Sequence, residues 1–266
     1  MEKRKKVIRI SIVVLLITLI VAVAVLYVNL KVFTIKKVLM GDNQEVYIMG
    51  TFHTDHFERY ANYSIDEMIN AINNIKPDVV FIEAREESYS EYGVVDGPID
   101  MCIAYSYCSE NSIPVEMIDY WKITNDSQTN TTTDDRDNHI HDNIMKKLDN
   151  YKNKRVLVIC GFGHLNAQTN RLIDEGGQIQ HISHIMDLFK GDNEDFVYPS
   201  MSCVVWEERV VFYAHTVPQL VQSNDALNEK TKANWPEDVN DSFYNSQMKY
   251  CKLFEANELY IGHSIE

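Results

Sequence analysis

Two candidate strands of this chain end in the same spacing of glycine and histidine, Gly50-Thr51-Phe52-His53 and Gly161-Phe162-Gly163-His164. Between them the apolar run Val79-Val80-Phe81-Ile82 stops at Glu83. Each run therefore delivers, at its C-terminal tip, one side chain able to bind a metal or move a proton. With 10 glycines and 9 histidines in 266 residues, about a third of one Gly-x-x-His match arises by chance, so a single copy carries little information. Two copies, each closing an apolar run, carry more. In open α/β sheets the carboxyl ends of the strands form the ligand crevice, which gathers His53, Glu83 and His164 into one candidate site. Two imidazoles and a carboxylate form a facial donor set for a divalent ion such as Zn, Mn, Co or Fe. Such an ion lowers the pKa of its bound water and polarises a carbonyl. Without metal, Glu83 can act as general base and a histidine as acid.

The glycines are expected to supply the sharp exit from each strand, through their tolerance of φ > 0 and of close backbone approach. Arg136 joins the set by helix spacing: it lies four residues before Ile140 and eight before Ile144, on their inward face. A guanidinium there needs a partner, either a carboxylate or an oxyanion formed during reaction. His56 and Asp55 follow His53 closely enough to add a ligand or orient one. His139 lies near the Arg136 face and His141 toward the other side, while His181, His184 and His215 read as structural. Asn166 stands where a dinucleotide loop would carry its third glycine, which excludes NAD. The chain contains no Gly-x-Ser-x-Gly elbow and no Walker lysine.

The elements that must position these residues follow from the patterning. Glu45 to Met49 reads as a short strand. Ser64-Ile65-Asp66-Glu67 is a capping box, and Ile65, Met68, Ile69, Ile72 and Ile75 recur at helical spacing before Pro77. Val79 to Ile82 has the continuous apolar character of a strand buried on both faces, so strand, helix and strand form a βαβ unit. A helix is expected around Ile99 to Cys108, a strand at Ile113 to Ile118, and an exposed polar loop from Thr124 to Asp135. The stripe Ile140, Ile144, Met145, Leu148 and Tyr151 predicts another helix. Arg155 to Cys160 predicts a strand, followed by a helix from Asn166 to Glu175 that Gly176-Gly177 stops. The two Gly-x-x-His units read as a loose internal duplication. Cys203 to Trp206 and Arg209 to Tyr213 suggest an antiparallel hairpin at a sheet edge. The fold class is thus α/β, a mixed, mainly parallel central sheet flanked by helices.

At the N-terminus Lys3, Arg4, Lys5, Lys6 and Arg9 precede 19 residues, Ile10 to Val28, without a charge. A helix of that length spans roughly 28 Å, near the ~30 Å hydrocarbon core. Residues 1–35 are therefore expected to be a cytoplasmic basic stub and a transmembrane signal anchor, with 36–266 as an extracytoplasmic domain. A cleaved signal peptide, with Ala22-Val23-Ala24 as its cleavage signature, is the rival reading. The first nine residues carry a net +4, so the remainder carries −18 of the chain's −14, which argues against nucleic acid and anionic lipid as partners of the domain. Five cysteines without a C-x-x-C pair argue against a thiolate zinc site. One or two disulfides are permitted outside the cell, Cys102 and Cys108 being nearest in sequence. Cys160 is expected to be a buried small hydrophobe.

Four blocks in order carry a resemblance: Gly50-Thr51-Phe52-His53, then Lys76-Pro77-Asp78-Val79-Val80-Phe81-Ile82-Glu83, then Asp135-Arg136-Asp137, then Val158-Ile159-Cys160-Gly161-Phe162-Gly163-His164-Leu165. Together, over roughly Val46 to Asn170, they resemble the TraB/GumN group. That group includes pheromone-shutdown proteins and the TIKI metalloproteases, and is distantly similar to erythromycin esterases and ChaN-like haem-binding proteins. The resemblance implies a mixed α/β fold, carries His53, Glu83, Arg136 and His164 over as site residues, and implies divalent-metal-dependent peptide cleavage for the TIKI branch. The pheromone-shutdown members have C-terminal membrane segments, whereas this chain has an N-terminal one. The expectation is a membrane-anchored metallohydrolase (Mn, Co or Zn) acting on a peptide or protein substrate, with His53, His164 and Glu83 as metal ligands. The alternatives are a protein of the same fold that sequesters a peptide or haem, and a metal-independent esterase.

Overall fold

A computed structural model describes residues 11–21, 30–120, 134–191, 195–233, 235 and 241–262. Six strands form one sheet in the order β4-β3-β5-β2-β1-β6: β1 (Ile35–Met40), β2 (Gln44–Thr51), β3 (Val79–Arg85), β4 (Val115–Asp119), β5 (Arg155–Gly161) and β6 (Gln178–Gln180). β2, β3, β4 and β5 are mutually parallel, and β1 runs antiparallel to both β2 and β6. The mainly parallel, mixed α/β sheet expected from the patterning is therefore present. β5 inserts between β2 and β3, so the expected βαβ unit joins strands that are not neighbours. All seven residues of β3 are buried, which is why its sequence shows no alternation.

Residue parity along the strands separates two cores. Met49, Val80, Ile82, Leu157 and Ile159 face α2 (Ile65–Ile75), α4 (Ile99–Glu110), α7 (Ser202–Val211) and α10 (Asp241–Ala256), and the chain also forms α3 (Glu86–Tyr92), α8 (Val217–Gln222) and α9 (Glu229–Ala233). Val46, Ile48, Val79, Phe81, Val156, Val158 and Cys160 face α5 (Asp134–Leu148) and α6 (Phe162–Asp174). Glu83 has the parity of Val79 and Phe81 and so points toward α5 and α6. The capping box of α2 forms as expected, Ser64 and Glu67 exchanging side-chain and backbone hydrogen bonds.

Several expectations change. Cys203 to Tyr213 is not a hairpin: α7 runs from Ser202 to Val211 and continues as a π-helical turn, Phe212–Thr216. Its buried residues Ser202, Val205, Trp206 and Val210 recur at helical spacing, and the valine-rich runs around Glu207-Glu208 mimic strands only in composition. The antiparallel pairing lies instead at β1 and β6, with β1 joined to β2 by the turn Gly41–Asn43. α6 starts at Phe162, directly after β5, and not at Asn166. The chain after β2 instead enters a 3-10 turn, His53–Phe57, so the two Gly-x-x-His segments are not copies of one local structure. The disulfide joins Cys203 on α7 to Cys251 on α10, and Cys102, Cys108 and Cys160 are buried free thiols.

Residues 11–21 form a helix, α1, whose large apolar side chains are all exposed. Among the described residues no helix is long and apolar enough to cross a membrane. The basic stub, residues 22–28 of the expected anchor, and residues 124–133 of the expected polar loop lie outside the described residues.

Ile159 is fully buried at the centre of the sheet, paired with Ile82 on one side and Met49 on the other. Ile159→Ala should lower unfolding free energy by about 2–5 kcal/mol through the lost contacts and the cavity left behind, measured by urea unfolding; a smaller change would mean that the two cores can collapse around the gap.

Candidate active site

The carboxyl ends of β2, β3, β4 and β5 share one edge of the sheet, and the four residues singled out by spacing converge there. Glu83, near the end of β3, is 2% exposed. Its Oε1 accepts a hydrogen bond from Arg136 Nη2 at 2.8 Å, and its Oε2 accepts one from the backbone N–H of Gly161. Arg136 stands in the first turn of α5, as its helix spacing required, and its Nε donates to Asp119 Oδ1 at 3.0 Å. Asp119 is the last residue of β4.

His164 lies in the first turn of α6, 2% exposed, with Nε2 at 3.3 Å from Arg136 Nη1 and 3.6 Å from Glu83 Oε1. A guanidinium can only donate, so His164 Nε2 is the acceptor. Its Nδ1 therefore carries the hydrogen and donates to Asp137 Oδ1 at 2.6 Å. Gln168, one turn further along α6, donates to the same carboxylate.

His53 approaches from the other side of the cleft. It follows β2 with φ of 53°, a left-handed conformation in which a non-glycine residue is uncommon. Two contacts hold it there. His56 accepts the Phe52 N–H on Nε2 at 2.9 Å, and its Nδ1 donates to the Tyr63 carbonyl at 2.7 Å. His53 Nδ1 meets both oxygens of Asp100, at 3.1 and 3.2 Å. Asp100 is fully buried in the first turn of α4, where the helix dipole favours an acid. Burial acts to lower the His53 pKa. The charge and hydrogen bond of Asp100, followed by the charge of Glu83, outweigh it and carry the imidazole up to about 9. Burial acts to raise Asp100, and the charge and hydrogen bond of His53 override it, bringing the carboxyl down to about 2. The pair is an imidazolium against a carboxylate at neutral pH.

The glycines act differently from their expected role. Neither Gly50 nor Gly161 has positive φ; the left-handed residue is His53. Gly161 is needed for close approach instead, because a Cβ on it would stand 2.6 Å from His53 Nε2 and 3.4 Å from Glu83 Oε2. At Gly161 the second Gly-x-x-His segment makes room for the histidine of the first.

His53, Glu83 and Arg136 open onto a cavity of about 340 Å³ whose lining also includes Arg85, Asp96 and Arg209. His164 does not line it and stands behind Arg136. His56 is a structural residue of the turn. His139 stacks on Tyr120, His141 is buried beside Glu175, and His181, His184 and His215 do not line the cavity.

No family model, curated protein or solved structure matches this chain.

The geometry of the site answers part of the metal question. Both histidines have Nδ1 backed by a carboxylate and Nε2 directed inward, the arrangement that orients imidazole ligands in metal sites. Between His164 and Glu83, however, a guanidinium already supplies the positive charge. Arg136 donates to the His164 Nε2 lone pair and to Glu83 Oε1, and the Gly161 N–H donates to Oε2, which leaves Glu83 acceptor capacity but His164 Nε2 none. Among the described residues no three His, Cys, Asp or Glu side chains are grouped to hold an ion. In this arrangement the donor set does not fit a metal held jointly by His53, Glu83 and His164.

Asp100, Asp119, Asp96, Arg85, Arg209 and Tyr213 were not singled out by motif. Asp100 had a signal, as the sole charge among Ile99 to Cys108, a segment apolar on every side. Asp137 stood beside Arg136 in sequence with no role assigned.

Asp100→Asn should let the His53 pKa fall from about 9 toward the ordinary imidazole range near 6.5, because it removes the charge that raises it. An NMR titration of the His53 ring measures this, and a ring still titrating near 9 would show that another group sets its charge.

Proposed function

We propose that this chain is a membrane-anchored extracytoplasmic hydrolase acting on peptides or proteins, with Glu83 as general base, His53 as general acid and Arg136 as the stabiliser of developing negative charge. The observation that carries this reading is that Glu83, held by Arg136 and the Gly161 N–H, lines the same small cavity as His53, which is ion-paired with Asp100. The two side chains have different partners, a buried carboxylate for His53 and a guanidinium for Glu83. The TraB/GumN resemblance supports a hydrolase. The anchor is supported by the charge-free run from Ile10 to Val28 and by the apolar side chains exposed around α1, and the extracytoplasmic placement by the basic flank and the Cys203–Cys251 disulfide.

In the proposed reaction a water placed between the two groups gives a proton to Glu83 while its oxygen adds to a carbonyl carbon. The carbonyl oxygen takes up the negative charge near Arg136, whose guanidinium cannot lose its own proton. His53 Nε2–H then protonates the leaving nitrogen or oxygen as the bond to carbon breaks, and the proton on Glu83 returns His53 to its charged form. His164 and Asp137 act through Arg136: by accepting one of its N–H groups they fix the plane of the guanidinium against Glu83 and Asp119.

A second reading, hydrolysis assisted by a divalent ion such as Mn, Co or Zn, draws on the carboxylate-backed Nε2 atoms of His53 and His164. It requires Arg136 to withdraw from both His164 and Glu83. Elemental analysis of the full chain beside a peptide-cleavage screen, with and without chelator, separates the two. The first reading expects cleavage that survives chelation; about one divalent ion per chain, lost in both His53→Ala and His164→Ala, would favour the second. No cleavage of any peptide or ester under either condition would count against both.

Two outcomes are specific to the acid–base reading. Glu83→Gln and His53→Ala should each lower kcat by about 10²–10⁴, the usual weight of one proton-transfer group. Because His53 is protonated below its pKa, activity should hold through neutral pH and fall as pH rises through about 9, and in Asp100→Asn that fall should move to lower pH. A pH–rate profile reads both, and an alkaline limb unmoved by Asp100→Asn would remove His53 from the acid role.

A further inference from the structure

The lining of the cavity holds a cation that the acid–base reading does not use. Arg209, on α7, lines the cavity together with Arg85 and Arg136, and its side chain is 21% exposed. The other two guanidiniums are engaged. Arg136 is bonded to Glu83 and Asp119. Arg85 donates to Asp96 Oδ2 and, at 2.7 Å, to the Tyr213 hydroxyl.

Arg209 differs from both. Its nearest acid is Asp96, whose Oδ1 stands 3.7 Å from Arg209 Nε, beyond hydrogen-bond reach, and both atoms are buried without a hydrogen-bond partner. Among the described residues its guanidinium donates no hydrogen bond. It is held in place by aromatic faces instead, 5.2 Å from the Trp206 ring centre and 4.6 Å from that of Tyr213. Stacking of this kind fixes the plane of a guanidinium while leaving its N–H edge free to donate. Tyr213 belongs to the π-helical turn, a local irregularity that often accompanies functional sites. Here it brings the ring against Arg209 and the hydroxyl against Arg85. A planar donor held against aromatic faces beside the cleft, with its Nη groups uncommitted to protein acceptors among the described residues, is suited to a planar acceptor pair.

We infer that Arg209 is a carboxylate-binding subsite that holds a free carboxylate of the substrate in the cavity that Glu83 and His53 line. The inference deepens the peptidase reading by naming a substrate class, acidic peptides or peptides cleaved near a free terminus, and it rests on that reading only for the cleavage. The carboxylate would replace the missing hydrogen bonds of the Nη edge, with Asp96 remaining behind Nε. Its source is either the chain terminus or an Asp or Glu side chain, and the two are separable.

The test uses the full chain purified in detergent and three sets of N-acetylated tetrapeptides: neutral sequences with a free C-terminus, the same sequences as C-terminal amides, and amidated sequences containing one Asp or Glu. Retained peptides and cleavage products are scored separately by affinity selection and mass spectrometry. One of the two acidic sets should be retained roughly tenfold over the neutral amides, the weight of a charge-assisted hydrogen bond, and which set is retained identifies the source. Arg209→Met should abolish that ratio. Arg209→Lys, which keeps the charge without the planar fork, should reduce it several-fold, and circular dichroism reports whether each variant is folded. If Arg209→Met fails to fold, the Arg209→Lys ratio decides. Equal retention of all sets, retention of none, or a ratio unchanged in the folded variants overturns the subsite. Acid-selective retention without cleavage would keep the subsite and remove the hydrolase reading, whereas cleavage without acid selectivity would do the reverse.

Discussion

A carboxylate near the end of a central strand, almost sealed from water, has to be neutralised by its neighbours or it will not be tolerated. Glu83 is that group, and much of the surrounding structure can be understood as the means of satisfying it. Strand parity directs it toward α5 and α6. The first turn of α5 supplies Arg136, and the end of β5 supplies a backbone N–H. Arg136 is in turn aligned by Asp119 at the tip of β4 and by His164 from α6. Four separate segments thus meet on one charge, and a network of this kind responds as a unit when any member is removed.

The cleft has two walls of different character. On the α5 and α6 side Glu83, Arg136, His164 and Asp137 are hydrogen-bonded one to the next. On the α4 side His53, ion-paired with Asp100, stands at the cavity. Enclosed groups are suited to holding geometry, and groups that line a cavity to meeting a ligand. The same division explains why His164, which resembles His53 in its sequence motif, has a different part to play. It is enclosed, with both ring nitrogens engaged, while His53 keeps Nε2 at the cavity.

Much of this was legible in the residues. The uninterrupted apolar runs of β3 and β5 identified buried parallel strands, the capping box located α2, and the Ile140–Ile144 stripe oriented Arg136 correctly. Those features are local, and locality is what a sequence expresses directly. The acids that back the histidines were harder to read because Asp100 and Asp137 act across 47 and 27 residues of chain, and a lone acid in a helix has no motif. α7 resembles strand in composition because valines and a tryptophan suit strands, and the helical recurrence of its buried positions decides only when a core is present to face. The Cys203–Cys251 pairing likewise depends on α10 lying against α7, which no spacing between cysteines expresses.

One further property comes from the direction of β1. Because β1 runs antiparallel to β2, with Ile35 opposite Met49 and the Thr34 carbonyl accepting the Gly50 N–H, the polypeptide enters the sheet at the edge that bears the cleft. The short turn Leu30–Phe33 immediately precedes β1 there. The entry of the chain into the sheet and the mouth of the cleft therefore lie at the same end of the strands, so a change in the residues just before β1 acts on the cleft end of the sheet first.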